Sequence, residues 1–202
     1  MSASILGNTY AHMFGALLLT GLSAENSVVD RIPFGQLLSG IVSLVVLFFM
    51  VGMKVGIPKY AMFVAFTLLL GQMLTGLVDR LESKGVIREV IANVAFVFIG
   101  MTIVAFIDKQ NMIGFGPYLF AGLIGLFLGR LILLGVGFFK DSEELKPYNR
   151  ALTYFAIVLF SVYVAYDTQV LKATRSRDYI NNSLGLFLDI LNLFTSFGSL
   201  QE

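Results

Sequence analysis

No cysteine occurs in this chain, so disulfides and thiolate metal sites are excluded and the redox compartment is not encoded. A single histidine, His12, leaves no second imidazole to complete a transition-metal site. Charge is scarce as well: 13% of the 202 residues are Asp, Glu, Lys or Arg, against about 25% in an ordinary soluble domain. With a net charge of +1 there is no basic face to neutralise phosphates, which excludes a nucleic-acid partner. No basic n-region precedes the first apolar stretch, and that stretch runs into an acidic, polar loop, so no cleavable signal peptide is expected. No internal repeat is evident, which disfavours an inverted-repeat transporter.

What remains is apolar. The chain is 57% hydrophobic with a mean hydropathy of +0.83, the composition of a polytopic, integral multi-pass membrane protein with the lipid bilayer as its solvent. A span needs about 20 mainly apolar residues, and the sequence offers seven such segments in one all-α transmembrane domain covering 1–202. They run over 9–24, 33–53, 60–78, 86–107, 115–139, 148–172 and 183–199. The first and last are short, which points to tilt, a kink or incomplete crossing. Every connection is brief and polar, so any chemistry lies within the bundle or at its rim. Lys and Arg divide almost evenly between the two sets of loops, which leaves the topology open. Gly122, Gly125 and Gly129 recur at helical spacing in the fifth segment, as do Gly35, Ser39 and Ser43 in the second. Small residues so spaced let helices pack closely in lipid, and a packing face is the reading adopted for both.

The informative residues are polar ones inside apolar runs. Asp167 lies in FAIVLFSVYVAYDTQVLK and Asp189 in SLGLFLDILNLFTSFGSL. A carboxylate at membrane depth costs about 2.5–3.5 kcal/mol on insertion scales, so each requires a partner, water or a proton. In the last segment Gly185, Asp189, Asn192, Ser196 and Ser199 form one stripe, with large apolar residues around the rest. Tyr163 precedes Asp167 by one turn, on the same face, within reach to donate a hydrogen bond to it. If the last two helices are neighbours, the two carboxyls meet. They then share a proton and titrate as a unit. Singly protonated, the pair staples the helices; doubly ionised, it repels and offers hard oxygens to a transient Ca²⁺ ion. The alternative is that each aspartate separately bonds backbone near a helix end.

Arg130, in LIGLFLGRLILLG, either counters an acidic group in the bundle or reaches toward headgroups. His12 shares a face with Ala16 and Thr20. It reads as a hydrogen-bonded bundle histidine, with a proton relay or metal ligand as the other reading.

Four stretches, TYAHMFGALLLTGLSA (Thr9–Ala24), GFGPYLFAGLIGL (Gly114–Leu126), AYDTQ (Ala165–Gln169) and SLGLFLDILNLF (Ser183–Phe194), resemble the transmembrane Bax-inhibitor-motif family in order and spacing. The resemblance implies a seven-helix bundle with the seventh helix central. It also implies a pH-sensitive calcium leak and, in eukaryotic members, suppression of cell death through lowered store calcium. It assigns the family's pH-sensing aspartates to Asp167 and Asp189. Bacterial relatives carry an arginine late in the second helix that locks this pair; here the matching stretch, FFMVGMKVG, offers Met53 and Lys54 instead. Lys54 supplies a point charge without the bidentate fork.

The expectation is therefore a non-enzymatic calcium leak channel with no cofactor, in which calcium and protons are the small partners. Asp167 and Asp189 are its gate and transient metal site, and Lys54, Arg130, Asn192, Tyr163, Ser196 and His12 support gate or pore. The resemblance implies an ER or Golgi membrane and partners in cell-death control for a eukaryotic or viral source, and the plasma membrane for a bacterial one. A regulator that binds other membrane proteins without transport, and a proton-coupled transporter, are the alternatives. An intramembrane aspartyl protease is disfavoured, because Leu186, Phe187 and Leu188 precede Asp189 where GxGD is needed and no proline follows Pro147.

Overall fold

The structure, a computed structural model, describes residues 3–29, 32–107 and 112–201. Among these residues it is all-helical. The elements are α1 (Ala3–Glu25), α2 (Gly35–Val51), α3 (Ile57–Ser83), α4 (Ile87–Ile107), a short 3-10 turn at Met112–Phe115, α5 (Gly116–Val136), α6 (Ser142–Ala173) and α7 (Tyr179–Leu200). All seven expected segments are helices. By length and composition, α3, α4, α5 with its preceding turn, α6 and α7 are long and apolar enough to cross a membrane, whereas α2 is shorter, at 17 residues. The chain is an integral, multi-pass membrane protein. Large apolar side chains such as Phe48, Phe96, Phe127 and Ile132 are exposed, as lipid-facing groups are.

The helices overrun the apolar stretches where backbone hydrogen bonding continues into water. α3 extends through DRLES and stops at Gly85, whose φ of 72° is the left-handed conformation that glycine adopts at little cost. There Gly85 N–H donates to Glu82 O at 2.9 Å and Val86 N–H to Leu81 O at 3.0 Å, the paired bonds of a Schellman ending. α6 starts at Ser142, six residues earlier than the apolar run. Glu143 and Glu144 in its first turn suit the positive end of the helix dipole, and Pro147 lies inside the helix, where it removes one backbone hydrogen bond.

The residues fall into two compact units. One comprises 1–87 and 174–187, the other 88–173 and 188–202, so α7 begins in the first and ends in the second. In the first, α3 packs against both α1 and α2. Gly71 brings the α1 backbone close: a Cβ there would stand 2.4 Å from Thr20 O and 2.6 Å from Ser23 Cβ. Buried Gln72 beside it accepts from Val28 N–H at 2.8 Å and donates to Ser23 O at 2.6 Å, satisfying the end of α1. Thr20 and Ser23 hydroxyls donate to Thr67 O and Leu68 O at 3.1 and 2.8 Å. Since the clash is with backbone, Gly71→Val is expected to cost about 2–3 kcal/mol, read as a lowered Tm in detergent. Gly76→Ala meets only the Gln36 side chain and is expected to cost less.

In the second unit α5 packs on α6. Gly122 and Gly129 face Leu159 and Leu152, each at 3.0 Å from where a Cβ would lie, whereas Gly125 has open space. The packing face in α5 therefore runs through two of the three glycines. In the first unit Ser39 and Ser43 are buried, and Gly35 abuts Val29.

Candidate functional site

The second unit holds both intramembrane aspartates. α6 carries Asp167 and α7 carries Asp189, and the two side chains are near enough to interact. An ionised carboxylate only accepts, so a bond between two carboxyls requires a proton on one of them. Asp189 is 4% exposed, and its Oδ2 is buried without a hydrogen-bond partner. One oxygen of the pair is thus out of water and open to a donor or cation. Val164 and Ala165 before Asp167, and Leu186 and Phe187 before Asp189, are buried. A helical turn of apolar packing therefore holds each carboxyl.

Tyr163 stands close enough to interact electrostatically with both aspartates. Its ring lies 6.0 Å from Phe160 and packs edge-on to Tyr166 at 6.2 Å. Among the described residues no hydrogen bond links its hydroxyl to Asp167, so the expected donation is not made: the aromatic row sets the ring's direction instead. Asn192 and Ser196 continue the Asp189 stripe along α7. Ser196 is buried and Asn192 half-buried, with its backbone carbonyl accepting from Thr195 Oγ1 at 3.0 Å.

The remaining residues singled out by sequence lie elsewhere. Arg130 donates to Asn149 Oδ1 at 3.4 Å and Thr153 Oγ1 at 2.8 Å, both on α6 and both neutral. His12 belongs to the first unit. Its Nδ1 is 2.7 Å from Asn8 O, which can only accept, so Nδ1 carries the proton and Nε2 is left to accept from Tyr60 Oη at 3.3 Å. The rings of Tyr60 and Tyr179 flank it at 5.7 and 5.6 Å. His12 is a hydrogen-bonded bundle histidine set between two tilted tyrosine rings. Lys54 is exposed in the turn beyond α2.

The buried cation of the first unit is Lys59, from the short connection between the second and third apolar segments. Its Nζ is fully buried and donates to Asp178 Oδ2 at 2.5 Å and to Met53 O at 3.1 Å. Asp178 precedes α7, and its Oδ1 accepts from Asn181 N–H at 3.1 Å as a helix cap. The one signal for Lys59 is its place at the start of an apolar helix, in IPKY, where a loop lysine and a buried one look alike.

A family model described as "Inhibitor of apoptosis-promoting Bax1" matches residues 2–200. The chain is 29% identical to Bax inhibitor 1 of Schizosaccharomyces pombe over 201 residues, which cover 95% of this chain and 73% of that protein. It is 26% identical over 202 residues to an uncharacterized membrane protein of Vibrio cholerae, covering 97% and 87%. To the inner membrane protein YbhL of Escherichia coli it is 36% identical over 111 residues, 50% of this chain and 44% of the relative. The stretch shared with YbhL is less than half of that protein's length.

Proposed function

This chain belongs to the Bax inhibitor family of membrane proteins, and from that premise we propose that it is a pH-sensitive calcium leak channel gated by Asp167 and Asp189. The observation that supports the reading is the buried, unpartnered oxygen of Asp189, with the Asp167 side chain near it. A singly protonated pair joins α6 to α7. Adding the second proton replaces that charge-assisted bond by a weaker neutral one, and removing the last proton sets two charges against each other. Either change loosens the contact.

Ca²⁺ takes six to eight oxygen ligands. Two carboxylates supply only part of that shell, with water and the amide oxygen of Asn192, one turn from Asp189, to add to it. A site so incomplete holds the ion weakly and exchanges it fast, which suits passage rather than storage. On this reading the protein needs no cofactor and catalyses no covalent step. Lys54, exposed and outside α2, is an unsuitable lock. Control of cell death is proposed from the family, for members in a eukaryotic membrane.

The test is calcium entry into liposomes holding the purified chain, measured from acidic to alkaline pH. Flux above empty liposomes with a pH response supports the channel. No flux at any pH overturns it and favours a regulator that acts through other membrane proteins; uptake of a solute driven by a proton gradient favours a carrier.

A further inference from the structure

Arg130 carries a charge that no carboxylate among the described residues meets. Asn149 and Thr153 aim its guanidinium without neutralising it, and Thr153 is itself held by donating to Asn149 O at 2.8 Å. Of the acids at the start of α6, Glu143 and Glu144 are engaged with lysines in exposed pairs, Lys140 with Glu144 at 2.9 Å and Lys146 with Glu143 at 2.5 Å, and Asp141 is exposed to solvent. Of the five guanidinium N–H donors, two are used within the protein, leaving three for a ligand.

Those donors face a cleft of about 410 Å³ between the end of α5 and the start of α6. Arg130, Asn149 and Lys140 supply its polar lining, and Leu134, Phe138 and Leu145 its apolar walls. Arg130 is six residues before the end of α5, about 9 Å inside it at 1.5 Å per residue. Lys140 lies beyond the helix end, so the cleft leads inward from the membrane boundary. Leu134 and Phe138 are 64% and 79% exposed, which places apolar surface beside the cationic floor and open to acyl chains. A ligand that fits must be anionic at one end and apolar at the other.

We infer that this cleft binds the phosphodiester headgroup of an anionic phospholipid. Arg130 holds the phosphate in its fork, Lys140, shared with Glu144, lies at the mouth, and the acyl chains lie along Leu134 and Phe138. A free inorganic phosphate would leave the apolar walls unused. A zwitterionic lipid brings its own cation, which the uncompensated Arg130 repels. The site is separate from the aspartate pair, and binding is measured without reference to flux.

Native mass spectrometry of the full chain in neutral detergent tests this, with phosphatidylglycerol, phosphatidylcholine of the same acyl chains and inorganic phosphate as probes. Phosphatidylglycerol is expected to bind about tenfold more tightly than phosphatidylcholine, whose choline cation is repelled by Arg130. Arg130→Gln is expected to remove that preference, Arg130→Lys to keep part of it, and Lys140→Gln to weaken it less. Equal binding of both lipids by the unaltered protein overturns the assignment whether or not a variant folds. So does an Arg130→Gln protein that folds and retains the preference. Inorganic phosphate displacing the lipid at equal concentration would make this a phosphate site and overturn the lipid as its occupant.

Discussion

Calcium flux through the unaltered protein is expected to pass through a minimum as pH is varied, at the pH where Asp167 and Asp189 hold one proton between them. Flux rises on both sides, because both the second protonation and the last deprotonation weaken the link between α6 and α7. The bond at stake is charge-assisted and buried, worth about 1.5–3 kcal/mol, so closed and open populations change by about tenfold or more across the range. Asp167→Asn is the sharper of the two single variants. Its amide can still donate to the Asp189 carboxylate, so the contact survives while one titration is removed. The profile is then expected to lose its two-sided shape, and the Asp167→Asn/Asp189→Asn double variant to be flat. Glu82→Gln, at an exposed position on α3, is the control and is expected to leave the profile unchanged. Proteoliposome flux at a series of pH values checks all four proteins, and a double variant with the unaltered profile would show that the pair is not the sensor.

Asp178→Asn is expected to produce the largest loss of stability, about 3 kcal/mol. Asparagine retains an oxygen that can cap α7 through Asn181 N–H, so what the substitution removes is the charge facing Lys59. Lys59 is fully buried, with only the Met53 carbonyl as its other acceptor. Breaking a buried pair from one side costs about 3–5 kcal/mol, because an ammonium remains without compensation in low dielectric. The low end applies here, since the Asp178 side chain is 18% exposed and water can reach the site. Lys59→Met is expected to cost less, leaving behind the partner that water can solvate. Combining Lys59→Met with Asp178→Asn is expected to recover most of the loss. The four proteins form a double-mutant cycle, followed by thermal unfolding in detergent. An Asp178→Asn protein as stable as the parent would mean that the pair contributes nothing to the fold.

Much of the architecture was legible in advance, for local reasons. A run of apolar residues long enough to cross a bilayer must be helical, because only a helix satisfies its own backbone there. Hydropathy therefore located the interior of every helix. It misplaced ends where helices continue in water: DRLES at the end of α3 and SEELKP at the start of α6 are polar yet helical, held by a Schellman ending and an acidic first turn. The glycine stripe on α5 was legible as a packing face but not in detail. Gly125 shares the spacing of Gly122 and Gly129 and touches nothing, because three and seven residues do not project in the same direction.

Composition, hydropathy and helical period established a multi-pass all-α membrane protein, the approximate place of each helix and the few polar residues that a bilayer makes costly. These properties depend on the residues of one segment and its solvent. Which partner each costly residue has was settled by packing. Arg130 meets the neutral Asn149 and Thr153 rather than an acid, and Lys59 meets Asp178, 119 positions away. A buried charge interacts with what lies within a few ångströms, and that neighbourhood is assembled from remote parts of the chain. Lys54 and Lys59 show the limit most plainly. Five residues apart in one polar loop of the sequence, one is in solvent and the other is fully enclosed.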